Sequence, residues 1–349
     1  MHRNLLQSLL PLPAILLAGS AVGQQPAPPT ASQVPSQATG SEPTAPVPPG
    51  ATPAPSQAAT AAPTTSAAAT APAPATVSAP TPGAILAGAQ PGEWVAPALD
   101  DLLVMDLKGR RRVVIALAPG FAPVHVANIR ALARAHWYDE LWIERVQDNY
   151  VVQWGDPAGQ KPLPPGVVAL PPAEYERPAS GVALTPLPYR DTFAERVGFA
   201  DGMPVAAEGG QAWLAHCYGM VGVGRNNTPD TGHGGELYAV IGQAPRALDR
   251  NIALVGRVLV GMDTLAALPR GTEAMGFYKT EAERLPIASA RLASDLPPAE
   301  RPDVRILDAR GPTFAAWAKA RANRQDAFFV RPAGAVDLCN ALPPVKTGG

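Results

Sequence analysis

The 349-residue chain carries 28 Lys+Arg against 29 Asp+Glu, a formal net charge of −1, so neither a nucleic-acid-binding basic excess nor an acidic tail is indicated. Its two cysteines exclude a disulfide-dense scaffold and a four-cysteine zinc site. The 42 prolines are about twice the usual share of roughly 5%, and their uneven spread divides the chain. Residues 1–23 read as a secretory signal: His2 and Arg3 start it, Leu5 to Leu17 is mostly apolar, and Ala21-Val22-Gly23 offers small residues before Gln24. The apolar run is too short for a span of about 20 residues, and Pro11 and Pro13 interrupt it. Leu17-Ala18-Gly19-Ser20 lacks the Cys a lipoprotein needs, so export to a periplasm or beyond is expected. No later stretch resembles a membrane span. Residues 24–92 are Ala, Pro, Thr, Ser and Gln, too poor in large apolar side chains to offset ordering entropy, and read as a disordered, extended tether.

Order is expected from about residue 93. Arg112 to Ala118 is β-branched and reads as a strand stopped by Pro119-Gly120. Pro123 opens a helix of about 14 residues, with Val126, Ile129, Ala133 and His136 at helical spacing. Leu141–Val146 and Tyr150–Trp154 follow as a hairpin. Residues 158–212 hold many Pro and Gly and read as loops with short strands. Strand signals resume at 212–216, 237–241 and 252–259, with a glycine-rich loop at 222–235 and a short helix over 262–268. Strands outnumber helices without a βαβ rhythm, which favours a closed or sandwiched antiparallel sheet. Residues 273–349 read as a small α/β appendage: strands at 304–307 and 327–330 flank a helix opened by Gly311-Pro312, and Phe314, Trp317, Phe328 and Phe329 need burial.

Trp142-Ile143-Glu144-Arg145-Val146 followed by Asn149-Tyr150-Val151-Val152-Gln153-Trp154-Gly155-Asp156 resembles the central hairpin of the cyclophilins, the peptidyl-prolyl cis/trans isomerases. In that family the pattern is Phe-His-Arg-Val, a turn, Phe, two residues and Gln-Gly-Gly-Asp. Gly234-Gly235-Glu236-Leu237-Tyr238 sits where the family has Gly-Ser-Gln-Phe-Phe. Leu248-Asp249 and Val255-Gly256-Arg257-Val258 through Gly261-Met262-Asp263 match two later segments in the same order. The resemblance covers about 98 to 268. It implies a closed eight-stranded antiparallel barrel capped by two helices, a cyclophilin-like domain over 93–272, and a C-terminal extension over 273–349 packed on it.

Rotation about an X–Pro bond faces a barrier near 20 kcal/mol, while both isomers lie within about 1 kcal/mol. Such a catalyst needs no nucleophile, metal or cofactor, and none is expected; it must favour the twisted amide whose nitrogen has regained a lone pair. By resemblance, Arg145 donates to that nitrogen, Gln153 holds a substrate carbonyl, and Tyr150, Val151, Tyr238 and Leu248 line the proline pocket. Strand alternation is expected to point Arg145 with Ile143, and Trp142, Glu144 and Val146 to the other face. Arg225 matches a loop position that frames the substrate backbone. Glu236 replaces the pocket Gln and could pair with Arg145, whereas Glu144, where the family often has His, is expected to leave the pocket unaffected. Ala247 stands where many members have Trp, and Ile252 where many have His or Tyr. His216, His233, Cys217 and Asp249 lack tight metal spacing, so no metal site is expected. Cys217 and Cys339 form either one disulfide or two buried thiols. The expected partners are proline-containing polypeptides, with no nucleic acid, and the expected state is a monomer. A catalytically weak adaptor that binds Pro-containing segments is the alternative to an isomerase.

Overall fold

The computed structural model describes residues 79–109, 111–326 and 328–348. The expected signal segment and most of the expected tether lie outside them. The tether does not reach 92, however, because helix α1 (Pro82–Ala87) already falls within it. Thr81 Oγ1 accepts from Ala84 N at 3.2 Å, proline occupies the first turn, and Ile85 and Leu86 pack on the core.

Strands β1 (Trp94–Val95), β2 (Leu102–Leu107) and β3 (Arg111–Leu117) lead to helix α2 (Pro123–Arg134). The hairpin β4 (Trp142–Val146) and β5 (Val151–Gly155) comes next. Then come β6 (Arg177–Pro178), β7 (Thr185–Pro186), β8 (Arg196–Ala200), β9 (Met203–Glu208) and β10 (Gln211–Leu214). Strands β11 (Met220–Val223), β12 (Glu236–Val240) and β13 (Leu254–Val260) precede helix α3 (Met262–Ala266) and β14 (Leu285–Leu292). The chain closes with β15 (Val304–Leu307), helix α4 (Pro312–Ala322) and β16 (Val345–Thr347).

Eight strands close an antiparallel barrel in the order β11-β12-β5-β4-β14-β2-β3-β13. The expected domain boundary at 272 is therefore wrong, because β14 lies beyond it and bridges β4 to β2. Its run Leu285-Pro286-Ile287-Ala288-Ser289 carries little β-branching, so only pairing on both edges makes it a strand.

Outside the barrel, β6-β10-β9-β8-β7 form a five-stranded sheet from the segment expected to be mostly loop. Two hairpin signals explain it: Asp201-Gly202 and Gly209-Gly210 each supply two consecutive positive φ values, which tight strand connections require. A three-stranded sheet, β1-β15-β16, and α4 complete this second module. It draws on the N-terminal segment, the β5–β11 connection and the C-terminal segment.

Strands β2 and β3 are buried on both faces. Leu103, Met105, Leu107, Val113, Ile115 and Leu117 point into the barrel against Val126, Ile129 and Leu132 of α2. Leu102, Val104, Val114 and Ala116 point outward against Phe199, Trp213, Phe314 and Trp317 of the second module. This explains their near-continuous apolar sequence. The Cys217–Cys339 disulfide is formed and ties the start of β11 to the C-terminal segment. Of the strand expected over 327–330, the described residues 328–330 form none, and the expectation that both Phe328 and Phe329 are buried fails: Phe328 is 85% and Phe329 38% exposed, the two rings packing edge-to-face on each other. No described helix is long and apolar enough to cross a membrane.

Candidate active site

The site begins with a defect in β4. Ile143 pairs with Trp154 and Arg145 with Gln153, so Glu144 and Arg145 together oppose one residue of β5. This β-bulge breaks the expected alternation. Ile143 and Val146 both enter the barrel core, and Arg145 does not point with Ile143.

Register then aligns one cross-strand row. Arg145 faces Gln153 across β4/β5, Gln153 faces Tyr238 across β5/β12, and Tyr238 faces Gly222 across β12/β11. Alternation on β5 and β12 sends Val152, Trp154, Leu237 and Ala239 into the core and leaves Gln153 and Tyr238 on the outer face. These residues line a groove of about 530 Å³ with Tyr150, Val151, Arg225, Leu248, Ile252 and Met275. Every expected site residue but Glu236 thus borders one groove, and Glu236 lies immediately behind it.

Arg145 is held from several sides. Nη1 donates to Gln153 Oε1 at 2.8 Å, Nε to the Met275 carbonyl at 2.7 Å, and Nη2 to Gln147 Oε1. The guanidinium carbon lies 5.6 Å from the Tyr150 ring centroid and 5.4 Å from that of Phe277. Burial lowers the Arg145 pKa, with nearby Tyr150, Glu236 and Glu144 opposing the shift, but an arginine stays charged at physiological pH. Three of its five N–H donors are engaged and two remain. Gln147, Met275 and Phe277 escaped the sequence reading. Gln147 sits in a turn, and the other two lie in a loop that only tertiary folding brings back over β4, through hydrogen bonds from Gly271 N to Val146 O and from Tyr278 N to Glu144 O.

Glu236 pairs differently from the expectation: its Oε1 accepts from Gln153 Nε2, with no hydrogen bond to Arg145. Gln153 is thereby fixed with its oxygen toward Arg145, and one of its two amide hydrogens remains for a substrate carbonyl. Glu144, expected to be inert, is 3% exposed, and its Oε1 is buried without a hydrogen-bond partner. Burial, and then the neighbouring Glu236, push the Glu144 carboxyl up to about 9. Burial also raises Glu236, less so because Gln153, Glu144 and Arg145 favour its charge.

The pocket floor rests on a buried polar relay. Tyr238 packs with Val151 and Val240, and its hydroxyl meets His216 Nε2 at 2.9 Å. His216 Nδ1 donates to Asp249 Oδ1 at 2.9 Å, and Asp249 accepts from Arg246 Nε. Arg246 also bonds Asp191. Burial would raise the Asp249 carboxyl, but the His216 hydrogen bonds and the Arg246 charge outweigh it and hold the group below the usual range. His216 and Asp249 thus serve each other and Tyr238. At the groove's end, Arg225 spends Nε and Nη2 on the Asn251 carbonyl and Nη1 on that of Asn226.

A family model of the cyclophilin-type peptidyl-prolyl cis-trans isomerases matches residues 102–291, just over half of the chain. The chain belongs to this family. The cyclophilin match ends inside β14, which agrees with the barrel's extent. None of the curated proteins matches the chain. Among solved structures, the cyclophilin AquaCyp293 from Hirschia baltica is 25% identical, with a TM-score of 0.57, over 76% of this chain and 96% of that one. That overlap exceeds the span of the family model, so the likeness extends beyond the cyclophilin barrel. A cyclophilin-type isomerase from Cryptosporidium parvum, solved in the presence of the dipeptide Ala-Pro, is 12% identical over 55% of this chain and 98% of that one, with a TM-score of 0.35.

Proposed function

We propose that this cyclophilin accelerates cis/trans rotation of X–Pro bonds in exported proteins. The observation that carries the reading is Arg145: a charged donor fixed at the wall of an open groove, with two N–H groups uncommitted. The proline ring would sit against Val151, Tyr238, Leu248 and Ile252. As the amide twists, its nitrogen lone pair becomes an acceptor that the planar bond lacks, so a donor from Arg145 stabilises the transition state over the ground state. Gln153 would position Arg145 through Oε1 and offer its remaining hydrogen to the substrate backbone. Because Arg145 is already oriented by three acceptors and two rings, little reorganisation accompanies the reaction.

Export is supported by the signal-like residues 1–23 and by the Cys217–Cys339 disulfide, which persists in oxidising compartments. Cell fractionation with N-terminal sequencing of the mature protein tests it: recovery of an unprocessed cytosolic chain refutes it. A second reading, a binder of Pro-containing segments with little turnover, is favoured by the engagement of three Arg145 donors. Cis-to-trans rates on a short X–Pro peptide separate the two. Catalysis predicts acceleration that Arg145→Ala abolishes; background rates with retained peptide binding support the binder.

A further inference from the structure

Barrel order sets β11, β12, β5 and β4 side by side beneath the groove. Arg225 follows β11 at one end and spends its donors on backbone carbonyls. At the other end stands the loop after α3, which bridges onto β4 between Arg145 and Phe277 and puts Met275 into the groove wall. Strands about 4.8 Å apart make this row roughly 14 Å across, the reach of about four extended residues. An X–Pro unit fills two of them, so a bound chain meets the loop within two residues of its proline.

The loop is fixed by its backbone. Gly271 N donates to Val146 O at 3.0 Å and Tyr278 N to Glu144 O at 2.8 Å, on either side of Arg145 in β4. Gly276 lies close on the hairpin: a Cβ there would come within 2.6 Å of Gln147 Cα. Met275 holds a left-handed backbone, φ 58° and ψ 17°, and Gly276 follows at φ 79°. In this conformation the Met275 carbonyl accepts from Arg145 Nε. Glycine adopts it without steric penalty, whereas methionine is strained. The side chain returns nothing to the fold for that strain. Met275 is 63% exposed and, among the described residues, joins none of the apolar clusters. Strain kept at a binding wall points to work done on a ligand. An unbranched thioether adapts its shape to varied apolar partners.

We propose that Met275 is a specificity-determining residue. Its side chain selects a large apolar residue within two positions of the proline, on the flank that leaves the groove past Arg145. This rests on the isomerase reading above and names the sequences that the site turns over best.

The test is kcat/KM of the full chain on X–Pro peptides carrying Leu, Phe, Ala or Gln at each position within two residues of the proline. Only uncharged residues are compared, because Arg145 would attract an acidic flank. Leu and Phe are expected to exceed Ala and Gln by about three- to tenfold on one flank, carried by KM. Met275→Gly keeps the carbonyl and suits the backbone, and Met275→Leu keeps an apolar side chain. The ratio between peptides is read within each protein, so a change in overall rate does not enter it. Met275→Gly is expected to bring the ratio close to one and Met275→Leu to keep most of it. No preference on either flank, or a preference undiminished in Met275→Gly, overturns the proposal. NMR of the wild type labelled at the methionine methyls and bound to the Leu peptide reads the contact without turnover. A nuclear Overhauser effect between the Met275 and Leu methyls sustains the proposal, and its absence overturns it even if the variants do not fold. Background rates on every peptide, with that contact present, would instead refute the proposed function and leave the contact standing.

Discussion

Arg145 contributes charge, a planar fork and two spare donors beside Gln153, in the cross-strand row that lines the groove. Removing one such donor typically costs 10²–10³-fold in rate, so Arg145→Ala is expected to lose acceleration of about that size with peptide binding largely kept. NMR exchange spectroscopy on an X–Pro peptide measures both. Glu144 also leaves a signature in stability. The unfolded chain sheds this proton near the ordinary value of 4.5, whereas the folded protein keeps it to about 9. Between those values the native state binds the extra proton, so the contribution is complete below pH 4.5 and is lost as pH rises to about 9. Glu144→Gln is therefore expected to stay closer to constant in Tm between pH 5 and 8.5 while the wild type declines; parallel declines would contradict the assignment. The carboxyl at 144 is legible in sequence, but its burial is not.

At the scale of elements, the β4–β5 hairpin was legible because turn residues and alternation agree over Trp142–Gly155. The bulge was not, since one extra residue changes register without changing composition. That slip is decisive: it sets Glu144 beside Arg145 on the outer face. Across the same row, Gly222 clears space for the Tyr238 ring, because a Cβ there would overlap its hydroxyl and ring atoms. Gly222→Ala is expected to displace Tyr238, break its bond to His216 and raise KM several-fold more than it lowers kcat. Tyr238→Phe instead leaves His216 Nε2 buried without a partner, at a cost of about 1–3 kcal/mol in denaturant unfolding.

At the scale of the molecule, the barrel and the second module share the outward faces of β2 and β3, and the disulfide closes the connection across a sequence separation of 122 residues. Linking so long a loop restricts the unfolded chain, and losing the link typically costs about 2–5 kcal/mol. The Cys217→Ser/Cys339→Ser variant is expected to melt roughly 5–15 °C lower, and reductant should depress Tm only in the parent. Equal sensitivity of both proteins to reductant would show that the bridge does not support the fold.

The sequence by itself determined five of the barrel's eight strands, β3, β4, β5, β12 and β13, the helices α2 and α3, and the identity of Arg145, Gln153, Tyr150, Val151, Tyr238 and Leu248 as one constellation. Those features are local: period-two alternation, β-branched runs, a proline-opened helix and an ordered set of short motifs carry them. Tertiary structure alone decided that Leu285–Leu292 completes the barrel, that three distant segments build one module, that Cys217 meets Cys339, and that Gln153 donates to Glu236. Each of these joins residues far apart in the chain, where pairing depends on which surfaces remain unburied after the local elements form.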